Sequence, residues 1–257
     1  MKGIHIIYVF LGGIITCLTG CKMKTENKDL PEVSQPPNIV FIMADDHAYQ
    51  AISAYGSTFI ETPNIDRIAN EGALMLQAMV TNSICSPSRA VLLTGKYSHE
   101  NGMKDNGTYF NTEQPTFPKI LQKNGYKTAM IGKWHLFSEP TGFDYWNILP
   151  DQGHYYNPEF IKMGKDTVYD GYVTDLITDL SLEWIEKNKS QPFCLMLQHK
   201  APHRNWMPPL KYLESFNDTK FELPDNFYDS YKGRQALDRS PTTIQHGHLD
   251  VRYDSKI

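Results

Sequence analysis

Cysteine is scarce in this sequence, and the few cysteines present show no disulfide or zinc-binding pattern. The 257 residues contain four of them, Cys17, Cys21, Cys85 and Cys194. Their spacing matches neither a disulfide-stabilised scaffold nor a zinc site. Positive charge is not in excess either, since 25 basic and 29 acidic side chains give a formal net charge of −4. We therefore expect no nucleic-acid partner.

The sequence also lacks internal repeats and the compositional bias of fibrous or disordered proteins. Hydrophobic residues make up 40% of the chain and charged residues 21%. This is the composition of an ordinary globular protein, and the length is sufficient to bury a sizeable core. We expect one domain, or two small ones.

A hydrophobic run long enough for a membrane-spanning helix is missing at the N-terminus. The apolar stretch from Ile4 to Cys17 follows Lys2 and is broken by glycines, which is typical of a targeting segment. The next residues, Leu18-Thr19-Gly20-Cys21, resemble a bacterial lipobox. This resemblance implies cleavage before Cys21 and lipidation of its thiol. A plain secretory signal with a chance cysteine is the alternative.

These features divide the chain into three segments. Residues 1–20 are interpreted as a lipoprotein signal peptide and residues 21–37, polar and rich in proline, as a tether. The folded domain is expected over residues 38–257. Through lipidated Cys21 the protein is expected at the cell envelope, anchored to the outer membrane and facing the periplasm or the cell surface.

Buried strands alternate with helices along the rest of the chain. Apolar runs predict strands, and apolar residues with helical spacing predict helices. The predicted strands are Asn38–Ala44, Thr128–Ile131 and Phe193–Gln198, and the predicted helices are Asn64–Asn70, Phe117–Asn124 and Gly171–Asn188. The first run is typical of a central parallel strand. This alternation predicts an α/β fold with a mostly parallel central sheet flanked by helices.

Polar side chains follow each of the predicted strands. Asp45 and Asp46 come after the first, Lys133 and His135 after the second, and His203 after the third. Sites in open α/β sheets lie at the carboxyl ends of the strands. Three segments that are distant in sequence are therefore predicted to form one site.

A fourth segment, Cys85-Ser86-Pro87-Ser88-Arg89, indicates the chemistry of that site. Pro87 suits the first turn of a helix and Gly95 suits its end. Cys85 is therefore predicted just before a helix N-terminus, where backbone N–H groups attract anions. Arg89, four residues further on, can reach the same place. This arrangement predicts an oxyanion site beside a nucleophile.

The motif Cys-x-Pro-Ser-Arg followed by Leu-Thr-Gly resembles the signature of the type I sulfatases, members of the alkaline phosphatase-like superfamily. The resemblance implies that Cys85 is oxidised to formylglycine, whose hydrated aldehyde attacks sulfur. It also implies two kinds of partner. One is a formylglycine-generating or an anaerobic sulfatase-maturating enzyme, and the other is a sulfated carbohydrate substrate.

The resemblance extends to the other polar clusters and implies a role for each. Asp45, Asp46 and modified Cys85 would hold one Ca²⁺, which suits oxygen ligands. Lys133, in a Gly-Lys-x-His motif, would bind sulfate oxygens together with Arg89. His135 would take the proton that lets the sulfo-enzyme intermediate collapse. His203, in an Ala-Pro-His motif, would bind sulfate or protonate the leaving alcohol.

A narrower resemblance concerns the substrate. Residues 199–208, His-Lys-Ala-Pro-His-Arg-Asn-Trp-Met-Pro, are similar to bacterial N-acetylglucosamine-6-sulfatases that act on mucin and glycosaminoglycan sugars. The family's second metal-binding segment and a later sulfate-binding lysine are not recognisable before Ile257, and His246–Asp250 is a poor substitute. The resemblance therefore implies the N-terminal part of a sulfatase catalytic domain, apparently truncated, with poor activity by itself.

Two other functions remain open. A phosphatase or phosphodiesterase of the same superfamily would use serine or threonine with zinc, and Cys85 argues against it. An inactive remnant of a sulfatase, or a carbohydrate-binding protein with a sulfatase-like face, would retain the same motifs without turnover.

The lipobox predicts that Cys21→Ala releases the protein from the membrane fraction into the soluble fraction. Stable anchoring requires more than one acyl chain, and all of them depend on this cysteine. Fractionation of the bacterial envelope followed by immunoblotting measures the change. Cys17→Ala, four residues upstream, is the matched control and should leave the distribution unchanged. Unaltered membrane association of Cys21→Ala would contradict the lipobox interpretation.

Overall fold

The computed structural model describes residues 36–223 and 225–235 of the chain. The predicted signal peptide, Cys21, nearly all of the tether and residues 246–250 lie outside the described residues. None of the helices within the described ranges is long and apolar enough to cross a membrane.

A six-stranded mixed sheet forms the centre of the fold, in the order β1-β6-β2-β3-β4-β5. The strands are β1 (Ile39–Met43), β2 (Lys127–Lys133), β3 (Tyr145–Leu149), β4 (Glu159–Lys162), β5 (Lys165–Val168) and β6 (Phe193–Gln198). Strands β1, β6, β2 and β3 are parallel to one another, whereas β4 and β5 are added antiparallel. The prediction of a mostly parallel α/β sheet is therefore confirmed.

Five α-helices accompany the sheet in the described residues. They are α1 (Pro63–Glu71), α2 (Cys85–Thr94), α3 (Ser98–Asn101), α4 (Phe117–Lys123) and α5 (Val173–Asn188). The bounds of α1, α4 and α5 agree with the predicted helices to within two residues, whereas α3 was not predicted. One detail differs, because α2 begins at Cys85 itself, with Ile84 as the N-cap, and not after it. Pro87 lies in the first turn, where its missing N–H leaves no hydrogen bond unmade.

Both faces of the sheet centre are covered, which explains the uniformly apolar strands. Every residue of β6 is buried, and so is every residue of β2 after Lys127. On one face, Met130 and Met196 pack with α2 residues such as Leu93. On the other face, Ile131 and Leu195 pack with Ile177 and Trp184 of α5. Strands covered on both sides have no polar face, so they read as continuous hydrophobic runs.

The first strand differs from expectation. Within the described residues β1 pairs only with β6 and is the edge of the sheet, so the expectation of a central strand is wrong there. Val40 and Ile42 are 44% and 56% exposed. An apolar run predicts that a strand is buried, but it does not predict whether the strand is central or lies at the edge of the sheet.

Gly132 sets how closely β2 approaches the end of β6, and Gly132→Ala should destabilise the fold. Its φ is +107°, and an added Cβ would collide with the carbonyl oxygen of Gln198 and lie 3.2 Å from Ile177 Cδ1. The backbone strain costs about 1–2 kcal/mol and the overpacking about 1–3 kcal/mol. Together these costs correspond to a loss of roughly 5–15 °C in melting temperature, measured by circular dichroism.

Gly107→Ala is the matched control for this substitution. The nearest atom to its added Cβ is Asp105 Oδ1 at 3.5 Å, an ordinary contact. The control should therefore melt close to the parent protein. Equal melting temperatures for Gly132→Ala and the parent would show that β2 and β6 can separate without cost.

Candidate functional site

The site is built where the carboxyl ends of β1, β2 and β6 meet the N-terminus of α2. Backbone hydrogen bonds join the segments that follow β1 and β6. The Asp45 N–H donates to the Ala201 carbonyl oxygen at 3.1 Å, and the His199 N–H donates to the Met43 carbonyl oxygen at 2.8 Å. The polar residues that follow parallel strands lie at the same edge of the sheet. The predicted convergence of Asp45, Lys133 and His203 therefore has a structural basis.

One buried carboxylate faces two buried cations at the centre of this site. Lys133 Nζ donates a hydrogen bond to Asp45 Oδ2, and Arg89 Nη2 lies 3.6 Å from the same oxygen. Arg89 Nη1 donates to the Lys133 carbonyl oxygen at 2.6 Å and also to Gln198 Oε1. Arg89 Nε and Nη2 have no hydrogen-bond acceptor among the described residues. The cluster therefore keeps an excess positive charge and unused donors, which suit an anion.

Cys85 lies at the first position of α2 and is half-buried. Its Sγ, an oxygen of Asp45 and a ring nitrogen of His203 lie within 4.8 Å of one another. Burial raises the pKa of the Cys85 thiol, with Asp45 and Asp46 acting in the same direction and Lys133 and Arg89 opposing. The thiol is therefore protonated at neutral pH and is a poor nucleophile in this form.

His135 reaches the site by a turn, although the sequence suggested extended backbone. Its φ is +52°, so side-chain alternation does not place it beside Lys133. The side chain of Gln152 joins the two residues, because Lys133 Nζ donates to Gln152 Oε1 at 2.5 Å and Gln152 Nε2 lies 3.3 Å from His135 Nε2. Ser86 Oγ donates to the His135 carbonyl oxygen at 2.6 Å, which holds this turn against α2.

The ring of His135 is neutral at physiological pH. Burial, and then the charge of Lys133, lower its pKa to about 4, although Asp151 Oδ1 lies 3.1 Å from Nε2. A neutral imidazole can accept a proton. The predicted role of His135 as a proton acceptor is compatible with this state.

His203 presents one ring nitrogen to the site. Its Nδ1 lies 2.5 Å from the Arg204 carbonyl oxygen, and because a carbonyl only accepts, Nδ1 carries the proton. Nε2 then has the lone pair and lies 3.7 Å from Asp46 Oδ2. Burial, and then Lys133, lower the pKa of His203. In its neutral form the residue can receive a proton, or bind a metal, through Nε2.

Two carboxylates of the site, those of Asp45 and Asp46, suit a hard divalent cation. Asp45 is buried and Asp46 is largely exposed, and carboxylate oxygens are the ligands that Ca²⁺ prefers. The Lys133 ammonium already lies against Asp45, which shows that this carboxylate accepts a cation partner. The predicted set of Asp45, Asp46 and Cys85 is only partly assembled, since the compact group contains His203 and not Asp46.

Sequence reasoning assigned no role to four polar residues that complete the site: Gln152, Asp151, Gln198 and Lys200. Gln198 and Lys200 are buried and lie at or just after the end of β6. The rule that polar residues after a buried strand mark a site could have found both. Gln152 and Asp151 follow β3, a strand that the sequence analysis did not predict, so no signal was available for them.

Comparisons with known proteins agree with the motifs. The family described as Sulfatase matches residues 37–244. An N-acetylglucosamine-6-O-sulfatase of Bacteroides thetaiotaomicron is 52% identical over 220 residues, which are 84% of this chain and 39% of that protein. An ulvan-active sulfatase of Formosa agariphila is 30% identical over 233 residues, 84% of this chain and 45% of that protein.

Solved structures show the same relationship. The structure of BT4656 in complex with its substrate D-glucosamine-2-N,6-O-disulfate matches with a TM-score of 0.80 at 52% identity, covering 82% of this chain and 44% of that one. The chain thus spans about two fifths of the length of the first of these curated relatives. The resemblance that began with the residues around Cys85 is confirmed, and the chain belongs to the sulfatase family.

Proposed function

We propose that the site around Cys85 removes sulfate from a sulfated carbohydrate, with the 6-O-sulfate of N-acetylglucosamine in mucin or glycosaminoglycan as the substrate. The observation that carries the proposal is the pairing of two buried cations, Lys133 and Arg89, with the single carboxylate of Asp45 beside Cys85. The name of the 52% identical relative supports the same sugar. The disulfated ligand of the matching structure supports substrates that carry a second sulfate.

Formylglycine at Cys85 would supply a hydrated aldehyde as the nucleophile toward sulfur, which the protonated thiol cannot supply. A maturation enzyme is therefore a required partner. Arg89 and Lys133 stabilise the charge on the sulfuryl oxygens. His135 would accept a proton from the modified residue, and His203, once it is protonated at Nε2, would deliver that proton to the departing alcohol. A sugar alkoxide is a poor leaving group, so this acid is needed.

Asp45 and Asp46 would hold the Ca²⁺ ion, which would screen the charge of the sulfate. The cation suits the oxygen donors present, and it would compete with Lys133 for Asp45. We further propose that the protein acts at the cell envelope, anchored through lipidated Cys21, where sulfated glycans are accessible.

The first test concerns the modification. In a host that contains a sulfatase-maturating enzyme, the tryptic peptide ending at Arg89 should show Cys85 converted to the aldehyde. The motif that such enzymes read is short and local, so the rest of the fold is not needed. Mass spectrometry measures the conversion, and Cys194, buried in β6, is the internal control that should remain a thiol. An unmodified Cys85 in this host would contradict the proposal.

The second test concerns turnover. The matured chain should release sulfate from N-acetylglucosamine-6-sulfate slowly, because the described residues supply only two carboxylates for the metal. Cys85→Ala should lower this release by about a hundredfold or more, since a covalent mechanism has no substitute for its nucleophile. Ion chromatography of inorganic sulfate provides the measurement.

Two outcomes would favour the other functions. Faster release of phosphate from N-acetylglucosamine-6-phosphate than of sulfate from the matched ester would indicate a phosphatase. Binding of the sulfated sugar without any release, equal in the parent and in Cys85→Ala, would indicate a carbohydrate-binding protein.

A further inference from the structure

Lys200 is a buried lysine for which the proposed reaction has no use. It lies two residues after β6 and is 4% exposed. Its Nζ lies 4.8 Å from the centroid of the Tyr155 ring. In the part of the chain that the structure describes, this ring is its only close partner, with neither an ion pair nor a hydrogen bond from Nζ. Lys133, at the end of the neighbouring strand, is by contrast paired with Asp45.

Keeping an ammonium group with so little solvent around it costs free energy unless an anion pairs with it. Burial, and then repulsion by Lys133, lower the pKa of Lys200 to about 8, while Asp45, Asp151 and Asp46 oppose the shift from beyond ion-pair distance. The side chain is therefore still mostly charged at neutral pH. Buried charges are normally paired, and an unpaired one beside a cleft is a candidate for ligand binding.

Lys200 also faces a pocket of about 410 Å³. The pocket is lined by Gln152, Tyr155, Lys200, His203 and Asn205, among other residues. Its volume falls in the range of small-ligand sites, roughly 300–1,000 Å³. His203 belongs both to this pocket and to the compact group with Cys85 and Asp45. His203 therefore borders both the pocket and the group that contains the nucleophile.

We propose that this pocket is a second anion subsite, in which Lys200 binds a sulfate substituent of the carbohydrate other than the ester cleaved at Cys85. The proposal rests on the carbohydrate sulfatase function stated above. One sugar ring beside His203 would present its 6-O-sulfate to Arg89 and Lys133 and a 2-N-sulfate to Lys200. The ammonium donates to the sulfate oxygens in a charge-assisted hydrogen bond, which is stronger than a neutral one. No bond is made or broken at this subsite.

Lys200→Met is the variant that tests this proposal. Methionine keeps the unbranched stem and removes a buried charge, so loss of the fold is not the expected outcome. Lys211→Met is the matched control, because Lys211 Nζ also lies over a ring, 5.3 Å from the centroid of Tyr212, but is exposed and lies 3.8 Å from Asp175 Oδ2. Lys200→Arg retains the positive charge and tests whether that charge alone restores the binding lost in Lys200→Met.

The probes are glucosamine-2-N-sulfate, which has no 6-sulfate, and N-acetylglucosamine-6-sulfate, which has no N-sulfate. Dissociation constants come from ligand-observed NMR with the full chain. Lys200→Met should weaken binding of glucosamine-2-N-sulfate about tenfold and change binding of N-acetylglucosamine-6-sulfate less than about twofold. Lys211→Met should change neither, and Lys200→Arg should recover part of the loss.

Two results would overturn the proposal. Equal weakening of both probes would place Lys200 at the scissile sulfate, and no weakening of either would show that the ammonium contacts no substrate anion. If Lys200→Met does not fold, Lys200→Gln answers the same question with a polar neutral side chain. Failure of the sulfatase proposal is distinguishable, because it shows as absent sulfate release while the binding of glucosamine-2-N-sulfate still depends on Lys200.

Discussion

The buried carboxylate of Asp45 is the constraint on which the site depends. Placing Lys133 and Arg89 in the protein interior costs several kcal/mol for each charge, and a close carboxylate offsets part of this cost. Lys133 ends β2, Arg89 lies in α2 and Asp45 follows β1, so one ionic cluster joins three elements that are distant in sequence. Gln198 adds the end of β6 through its hydrogen bond from Arg89. The position of each functional group is therefore set by charge pairing as well as by the sheet.

The sequence predicts those parts of this arrangement that depend on local pattern. Strand β6 is predicted with its observed bounds because all six residues are buried. The motif around Cys85 predicts α2 because proline and glycine fix its two ends. Strands β4 and β5 are missed because they are short, and β5 (Lys165–Val168) contains no buried residue. Without an apolar pattern there is no periodicity to detect.

Other features depend on tertiary contacts that no short segment contains. Asp45 and Asp46 are neighbours in sequence, yet Asp45 is buried against two cations while Asp46 is largely exposed. The position of His135 follows from its left-handed backbone and from Gln152, which comes from the loop after β3. The edge position of β1 follows from which strands pair with it. In each case the residue type was informative, and its partner could be identified only from the fold.

The excess positive charge links anion binding to proton transfer. Burial, and after it the charge of Lys133, lower the pKa of both His135 and His203, so both imidazoles are neutral at physiological pH without a bound anion. A sulfate ester bound against Lys133 and Arg89 brings the negative charge that the cluster lacks, and a nearby negative charge raises the pKa of an imidazole. Burial is the larger cause of the lowered pKa values, and a bound anion does not remove it. The pKa of each imidazole therefore rises only in part. We therefore expect substrate binding itself to make His203 easier to protonate, so that the acid needed by the leaving alcohol becomes available only when an anion is in place.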